Sequence, residues 1–276
     1  VTVRTGEVAA ALIAAAEAAA DAADTRSGVR TRPARRAELG GVLARFESTW
    51  GGGRGADLAT IQALHHAGNT VLVAVPASAA DDERADAAAA PIGATLGFLG
   101  WTGGLHVHSH MNAVDPAARG RGIGVALKLR QRAVCLAHGV TEMRWTYDPL
   151  IRRNAHLNLV RLGAEVTRFL PDFYGQLDDA ITGTDRSDRF EVRWRLDGRR
   201  TARALGRGPV PEWHAEGGLA LAADFEALRA ADPAAAARLR DESRAAFAVL
   251  GAGGLRADLD ANGDYVFTRD DPDREA

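Results

Sequence analysis

The chain has a single cysteine, Cys135, in 276 residues. A lone cysteine excludes any intrachain disulfide. Its apolar neighbours in a helical stretch make it a packing residue rather than a nucleophile. Lysine is equally scarce: Lys128 is the only one, and arginine supplies the other 33 basic positions. In so alanine-rich a sequence this reads as a bias of coding rather than of chemistry. No apolar run approaches the length of a transmembrane helix, so no membrane partner is expected. Glu7, Glu17, Asp21 and Asp24 interrupt or flank the alanine-rich start. That start has neither the basic opening nor the continuous apolar core of a secretory signal, and a cytoplasmic location is the expectation. A formal net charge of -2 gives no reason to expect a nucleic-acid partner.

What is present is ordinary for a globular protein: 46% hydrophobic and 25% charged residues, enough for one large core or two modest ones. Helical patterning is expected over residues 7–23, 33–49, 56–67, 125–138 and 155–162, and strands over 29–32, 71–75, 92–101, 105–114, 141–147, 165–170 and 190–196. Thr102-Gly103-Gly104 joins two of those strands as a hairpin. Residues 77–90 and 175–188 read as surface loops, and 199–211 as a linker. A helical pair at about 219–230 and 234–249 and a hairpin at 256–268 complete the tail. The expected organisation is a helical extension (1–28), a mixed α/β domain (29–198), and a linker with a small α+β subdomain (199–276).

The most informative segment is Asp115-Pro116-Ala117-Ala118-Arg119-Gly120-Arg121-Gly122-Ile123-Gly124, between a strand-like and a helix-like stretch. Glycines at 120, 122 and 124 permit unusual dihedrals and close approach of a ligand. First-turn amides of a helix lack intrahelical partners and point at a bound anion. Arg119 and Arg121 add positive charge. The segment is a candidate diphosphate cradle. It is not a Walker loop, because the only lysine lies inside the helix. It fits the dinucleotide pattern poorly, because it reads G-x-G-x-G rather than G-x-G-x-x-G. Three close glycines can also do no more than shape a turn.

Val114-Asp115-Pro116 followed by Arg119 to Gly124 resembles the acyl-CoA-binding motif of the GCN5-related N-acetyltransferase (GNAT) superfamily. The resemblance extends to a strand at 143–147, then Asn154 before a short helix ending at Gly163. It implies a mixed, mostly antiparallel central sheet flanked by helices. It also implies that the 119–124 backbone wraps the diphosphate of coenzyme A, and that the strand backbone at Met111, Asn112 and Val114 pairs with the pantetheine arm. A narrower resemblance rests on His108-Ser109-His110-Met111, Trp145 to Leu150, Arg153-Asn154-Ala155, Leu162-Gly163-Ala164 and Phe173-Tyr174-Gly175. These look like a branch of predicted acyltransferases associated with N-acylamino-acid racemases. That branch implies transfer of a succinyl group to the amine of an amino acid.

Acyl transfer to an amine needs a base to take the ammonium proton and donors for the developing oxyanion. Regular alternation places His106, His108 and His110 on one face of a strand. Imidazole suits a base, with His110 first and His108 second. Such histidines also occur as surface or packing residues. A metal is not expected from three nearly collinear positions. Asp148 orients a histidine or the substrate ammonium, or simply makes a turn with Pro149. Arg153 suits a substrate carboxylate or a structural ion pair. Tyr147 is expected on the substrate side with it. Asn154 caps the helix from Ala155 or touches the coenzyme. The tyrosine that many relatives carry four positions before the final glycine is Leu159 here, so Tyr174 or Tyr147 must serve as the acid, or solvent must. Asp258, Asp260, Asn262, Gly263 and Asp264 imitate a calcium loop, but the twelfth position is Arg269, and Asn262-Gly263 reads as a hairpin turn.

The expected co-substrate is acetyl-CoA or succinyl-CoA, without a metal. The expected partner is a small-molecule amine, with a homodimer allowed. A non-catalytic acyl-CoA sensor and a protein or peptide N-acetyltransferase remain as alternatives.

Overall fold

A computed structural model describes residues 8–53, 55–79, 90–177, 185–251 and 254–273. The fold is mixed α/β, with a central sheet flanked by helices and a smaller C-terminal α+β region. The described residues form two compact units, the first running to Met143 and the second starting at Arg144.

The first unit opens with α1 (Ala10–Ser27), which starts later and runs further than the expected 7–23; Glu7 lies outside the described residues. Alanine favours the helix, and Gly28 ends it in the left-handed region at φ 67°. β1 (Val29–Pro33) follows, then a 3-10 turn at Arg36–Glu38, α2 (Leu39–Trp50) and α3 (Leu58–His66). Asp57 caps α3 by accepting the Thr60 amide. β2 (Thr70–Pro76), β3 (Gly93–Gly100), β4 (His106–Val114) and α4 (Ile123–Ala137) complete it. Most of the 77–90 tract, residues 80–89, lies outside the described residues. The strands pair antiparallel in the order β1-β2-β3-β4.

Alternation along β2 shows how the sheet is covered on both faces. Val71 and Val73 pack with Leu39, Val42, Phe46 and Ile61 of α2 and α3. Leu72 and Ala74 pack with Val29, Ile123 and Leu127 on the α4 side. α1 lies against α4. Its small buried residues Ala16, Ala20, Ala23 and Ser27 recur at helical spacing. Arg130 of α4 binds Glu17 (2.5 Å), Asp21 (2.5 Å) and Asp24 (3.2 Å), one acidic stripe of α1.

The second unit takes up β5 (Glu142–Tyr147), whose first two residues belong to the first unit. α5 (Arg152–Ala155) continues into a π-helical turn at His156–Arg161, where one short helix was expected. β6 (Glu165–Leu170) and β7 (Arg189–Arg195) pair antiparallel. Residues 199–211 are not all linker: α6 covers Arg199–Leu205. β8 (Gly217–Leu219), α7 (Phe225–Ala231), α8 (Pro233–Phe247), β9 (Arg256–Leu259) and β10 (Tyr265–Thr268) form the rest, with strand order β8-β10-β9. The aromatic rings of Phe169, Phe190, Phe247, Tyr265 and Phe267 meet edge-on or tilted at its centre. Asn262 and Gly263 make the turn between β9 and β10, with Gly263 at φ 80°.

Candidate active site

The glycine-rich segment is a shaped loop between β4 and α4. Asp115 accepts the Ala117 amide (2.9 Å) and binds Arg45 (2.7 Å), which also donates to the Pro91 carbonyl (2.8 Å). The Ala117 amide, and then Arg45, hold the Asp115 carboxyl below its ordinary pKa. Gly120 (φ 80°) and Gly122 (φ 86°) take left-handed conformations that favour glycine. Gly122 is the residue before α4, and the Ala126 amide bonds back to its carbonyl at 3.0 Å. Arg119, Gly120, Arg121 and Gly122 are exposed, while Ile123 is buried as an anchor and Gly124 is half-buried. Arg121 also donates to the Ser27 carbonyl at the end of α1 (3.0 Å). The loop therefore combines a helix N-terminus, two exposed arginines and backbone bare of side chains. Those are the elements that bind a phosphorylated anion.

β4 does not alternate regularly. Leu96 pairs with Met111, but Gly97 pairs with Ser109, so His110 is an extra residue without a partner across the ladder. The bulge reverses the faces on either side of it. Ser109 bonds to Lys128 and Gln131 of α4. Met111, two residues later, packs with α2 and α3. Asn112 then turns to α4, donating to the Gly124 carbonyl at 3.3 Å, and Val114 packs near Ile123. Regular alternation therefore ends at His110, although His110 still shares with His108 the face of Phe98. His106 is buried, with Nδ1 2.8 Å from the Gly104 carbonyl. His108 and His110 meet across the bulge at 6.0 Å between ring centres, and both lie against Phe98, at 5.4 and 5.8 Å. His110 is exposed, yet the protein packed around it strips part of its hydration and lowers its pKa from the ordinary 6.5. It is therefore largely neutral, and able to accept a proton, at pH 7.

In the second unit the expected residues are largely committed to one another. Asp148 is held by both arms of Arg240 (2.8 Å each), and Arg240 also binds Asp185 (2.6 Å). Arg240 is only 1% exposed. Burial works against its charge, but the bonds and fields of Asp148 and Asp185 outweigh that and raise its pKa. The Asp148 carboxylate also caps the following turn through the Leu150 amide (2.9 Å). Its role as an orienter of histidine or ammonium gives way to this buried pair, whose other member lies 92 residues away in sequence. Tyr147 is buried, with its hydroxyl 3.0 Å from that of Tyr265, which donates to the Pro149 carbonyl (3.0 Å). Tyr265 has one proton to give, so Tyr147 donates to it. Burial pushes the Tyr147 pKa far up. A donor so placed does not serve as an acid, and the Tyr147 expectation is revised accordingly.

Arg153 is mostly exposed and pairs with Glu226. Asn154 does not cap a helix from Ala155, because α5 already begins at Arg152; its own amide bonds to the Ile151 carbonyl (2.9 Å). Tyr174 is exposed, with its hydroxyl 3.1 Å from Thr146 Oγ1 and the Arg189 guanidinium over its ring. Leu159 is buried in the π-helical turn. Among the described residues, no group of three or more His, Cys, Asp or Glu side chains is placed to hold a metal ion, and no helix is long and apolar enough to cross a membrane. Reading by motif missed Lys128, Gln131 and Thr70, which lie buried beneath the bulge; the singularity of Lys128 was the only signal for them.

Neither known family models nor curated protein sequences match this chain. Solved structures similar to it include three of low identity. Ard1 from Thermoplasma volcanium is 18% identical over 60% of this chain and 96% of its own, with a TM-score of 0.43. Naa50 from Arabidopsis thaliana, solved with the bisubstrate analogue CoA-Ac-MVNAL, is 18% identical over 60% of this chain and 97% of its own, with a TM-score of 0.45. The ribosomal-protein-S18-alanine N-acetyltransferase from Escherichia coli is 12% identical over 61% of this chain and 94% of its own, with a TM-score of 0.46.

Proposed function

We propose that this chain is an acyl-CoA-dependent N-acyltransferase of the GCN5-related kind, moving an acetyl or succinyl group to the amine of a small metabolite such as an amino acid. One observation carries the reading. A single continuous segment presents a neutral, partly desolvated histidine at a bulge of β4 and, nine residues after it, a glycine-arginine loop at the start of α4. A base and an anion cradle on one strand-loop-helix suit a reaction between an ammonium and a phosphorylated thioester.

The amides and arginines of residues 119–124 hold the diphosphate of the acyl donor, with Met111, Asn112 and Val114 lying along its arm. His110 takes the proton from the acceptor ammonium, and His108 supports it through ring contact. The freed amine attacks the thioester carbonyl carbon and forms the C–N bond. The C–S bond then breaks, the nitrogen gives up its second proton to water, and the departing thiolate takes a proton from Tyr174 or from water. Arg153 and Asn154 stay with the proposal as contacts to the acceptor carboxylate and the coenzyme.

The test has two parts. Calorimetry with coenzyme A should give binding that is lost when Arg119 and Arg121 are both changed to alanine. Release of free thiol from acetyl-CoA and succinyl-CoA over a panel of amino acids should then identify donor and acceptor. The rate should rise with pH through a midpoint below 6.5, and His110→Gln should abolish that limb and lower kcat by roughly 100-fold, the usual worth of a general base. Uptake of coenzyme A without turnover on any acceptor would support a sensor instead; no uptake at all would end the reading.

A further inference from the structure

A buried chain of hydrogen bonds runs beneath the bulge. Lys128 Nζ donates to Ser109 Oγ (2.7 Å), Ser109 Oγ to Gln131 Oε1 (2.7 Å), Gln131 Nε2 to Thr70 Oγ1 (2.8 Å), and Thr70 Oγ1 to the Gly97 carbonyl (3.2 Å). Each hydroxyl has one proton, so the direction of the whole chain is fixed once Lys128 donates. From Lys128 it passes through the residue before His110 on β4 and ends on β3 at the residue where the register shifts. Lys128 and Ser109 are each 4% exposed, and Gln131 and Thr70 are buried with them. Gly97 is fitted to this arrangement: a Cβ there would lie 2.5 Å from Gln131 Nε2 and 2.8 Å from Thr70 Oγ1. The register of the bulge is therefore set from below by side chains of α4 and β2.

The identity of the first donor matters. Arginine occupies every one of the other 33 basic positions, yet a lysine stands here. A guanidinium keeps its charge under all ordinary conditions, whereas an amine gives its proton up when buried. Around Lys128, β4 contributes the Ser109 hydroxyl, β2 and β3 contribute Thr70 and the Gly97 carbonyl further along the chain, and α4 carries Arg132 and Cys135. The acidic side chains that α1 brings to α4, Glu17, Asp21 and Asp24, are bound by Arg130.

We propose that Lys128 is a positioning residue for the acyl transfer described under Proposed function, on which this inference rests: its buried amine fixes, through Ser109, the bulge that presents His110. Burial lowers its pKa from 10.5 to about 7, so the uncharged form predominates above about pH 7. It touches neither donor nor acceptor and acts only through the strand.

Two experiments test this. With ε-13C-lysine as the label, the wild-type chain gives a single lysine resonance. Its titration midpoint should lie near 7, and a midpoint above about 9, close to that of a free lysine, overturns the uncharged amine. Lys128→Met keeps the volume and removes the donor. It should lower kcat by roughly tenfold and leave KM for acetyl-CoA within about twofold, the split expected of an interaction that serves the transition state alone. The ionisation near 7 should vanish from its rate profile while the limb of His110 stays. Ser109→Ala, a milder change, should show the same split. A wild type that turns over, matched by Lys128→Met in kcat and pH profile, overturns the positioning role alone. A wild type that releases no thiol from any acyl-CoA means that the acyl-transfer reading has failed, and the positioning role with it.

Discussion

Lys128 makes a prediction about stability that needs no substrate. Its pKa is about 7 in the folded chain, against 10.5 for a free side chain. Below pH 7 the amine is protonated in both folded and unfolded chains, and the folded state carries the full cost of a buried charge. Between about 7 and 10.4 the unfolded chain holds a proton that the folded chain has released, so stability rises with pH by about 1.4 kcal/mol per pH unit. Across the whole interval that amounts to about 5 kcal/mol, of which about 2 kcal/mol falls between pH 7 and 9. The neighbouring Cys135 thiol, pushed up to about 12 by burial, does not ionise in the folded chain in that window. Lys128→Met lacks the titration and loses only a hydrogen bond, a constant of about 1 kcal/mol. Urea unfolding of both proteins, followed by tryptophan fluorescence at half-unit steps from pH 6 to 9, gives a difference curve. It should be flat below 7 and then move in favour of the wild type. A curve that stays within about 0.5 kcal/mol from pH 7 to 9 would show that Lys128 is not desolvated in the folded protein and would refute the reasoning.

Three further outcomes are expected. Gly97→Ala forces a Cβ against Gln131, Thr70 and the His108 carbonyl, and should cost about 1–3 kcal/mol in urea unfolding. Gly122→Ala places a side chain at φ 86° with its Cβ 3.2 Å from Ser27 Oγ; it should cost about 1–2 kcal/mol and weaken coenzyme A binding in calorimetry about tenfold, since the loop must shift to relieve the strain. Arg240→Met leaves Asp148 and Asp185 without their shared cation and should destabilise the protein by about 3–5 kcal/mol, read as a lowered melting temperature.

Features encoded within a few residues were legible in the sequence. The β4–loop–α4 segment stood out because its glycines and arginines are contiguous and its flanks change period at that point. The Asn262-Gly263 turn was equally local. The bulge at His110 was hidden, because register depends on the partner strand and on Thr70 and Gln131 beneath it. The same reasoning explains why Asp148 looked available. Its partner Arg240 lies in another element far along the chain, and nothing near Asp148 signals the pairing. Asn154 looked like a cap because asparagine favours that position, whereas the helix already begins two residues earlier at Arg152. Lys128 was visible as an oddity of composition, but only its burial gives the oddity a physical meaning.

The bond from Arg121 to the Ser27 carbonyl makes the loop a latch on the end of α1. A guanidinium drawn off by an anion lets go of that carbonyl, so occupancy of the loop and fraying of the helix end share one free energy. By reciprocity, trimming or loosening α1 would alter how firmly the loop closes on any polyanion, even though no atom of the helix need touch it.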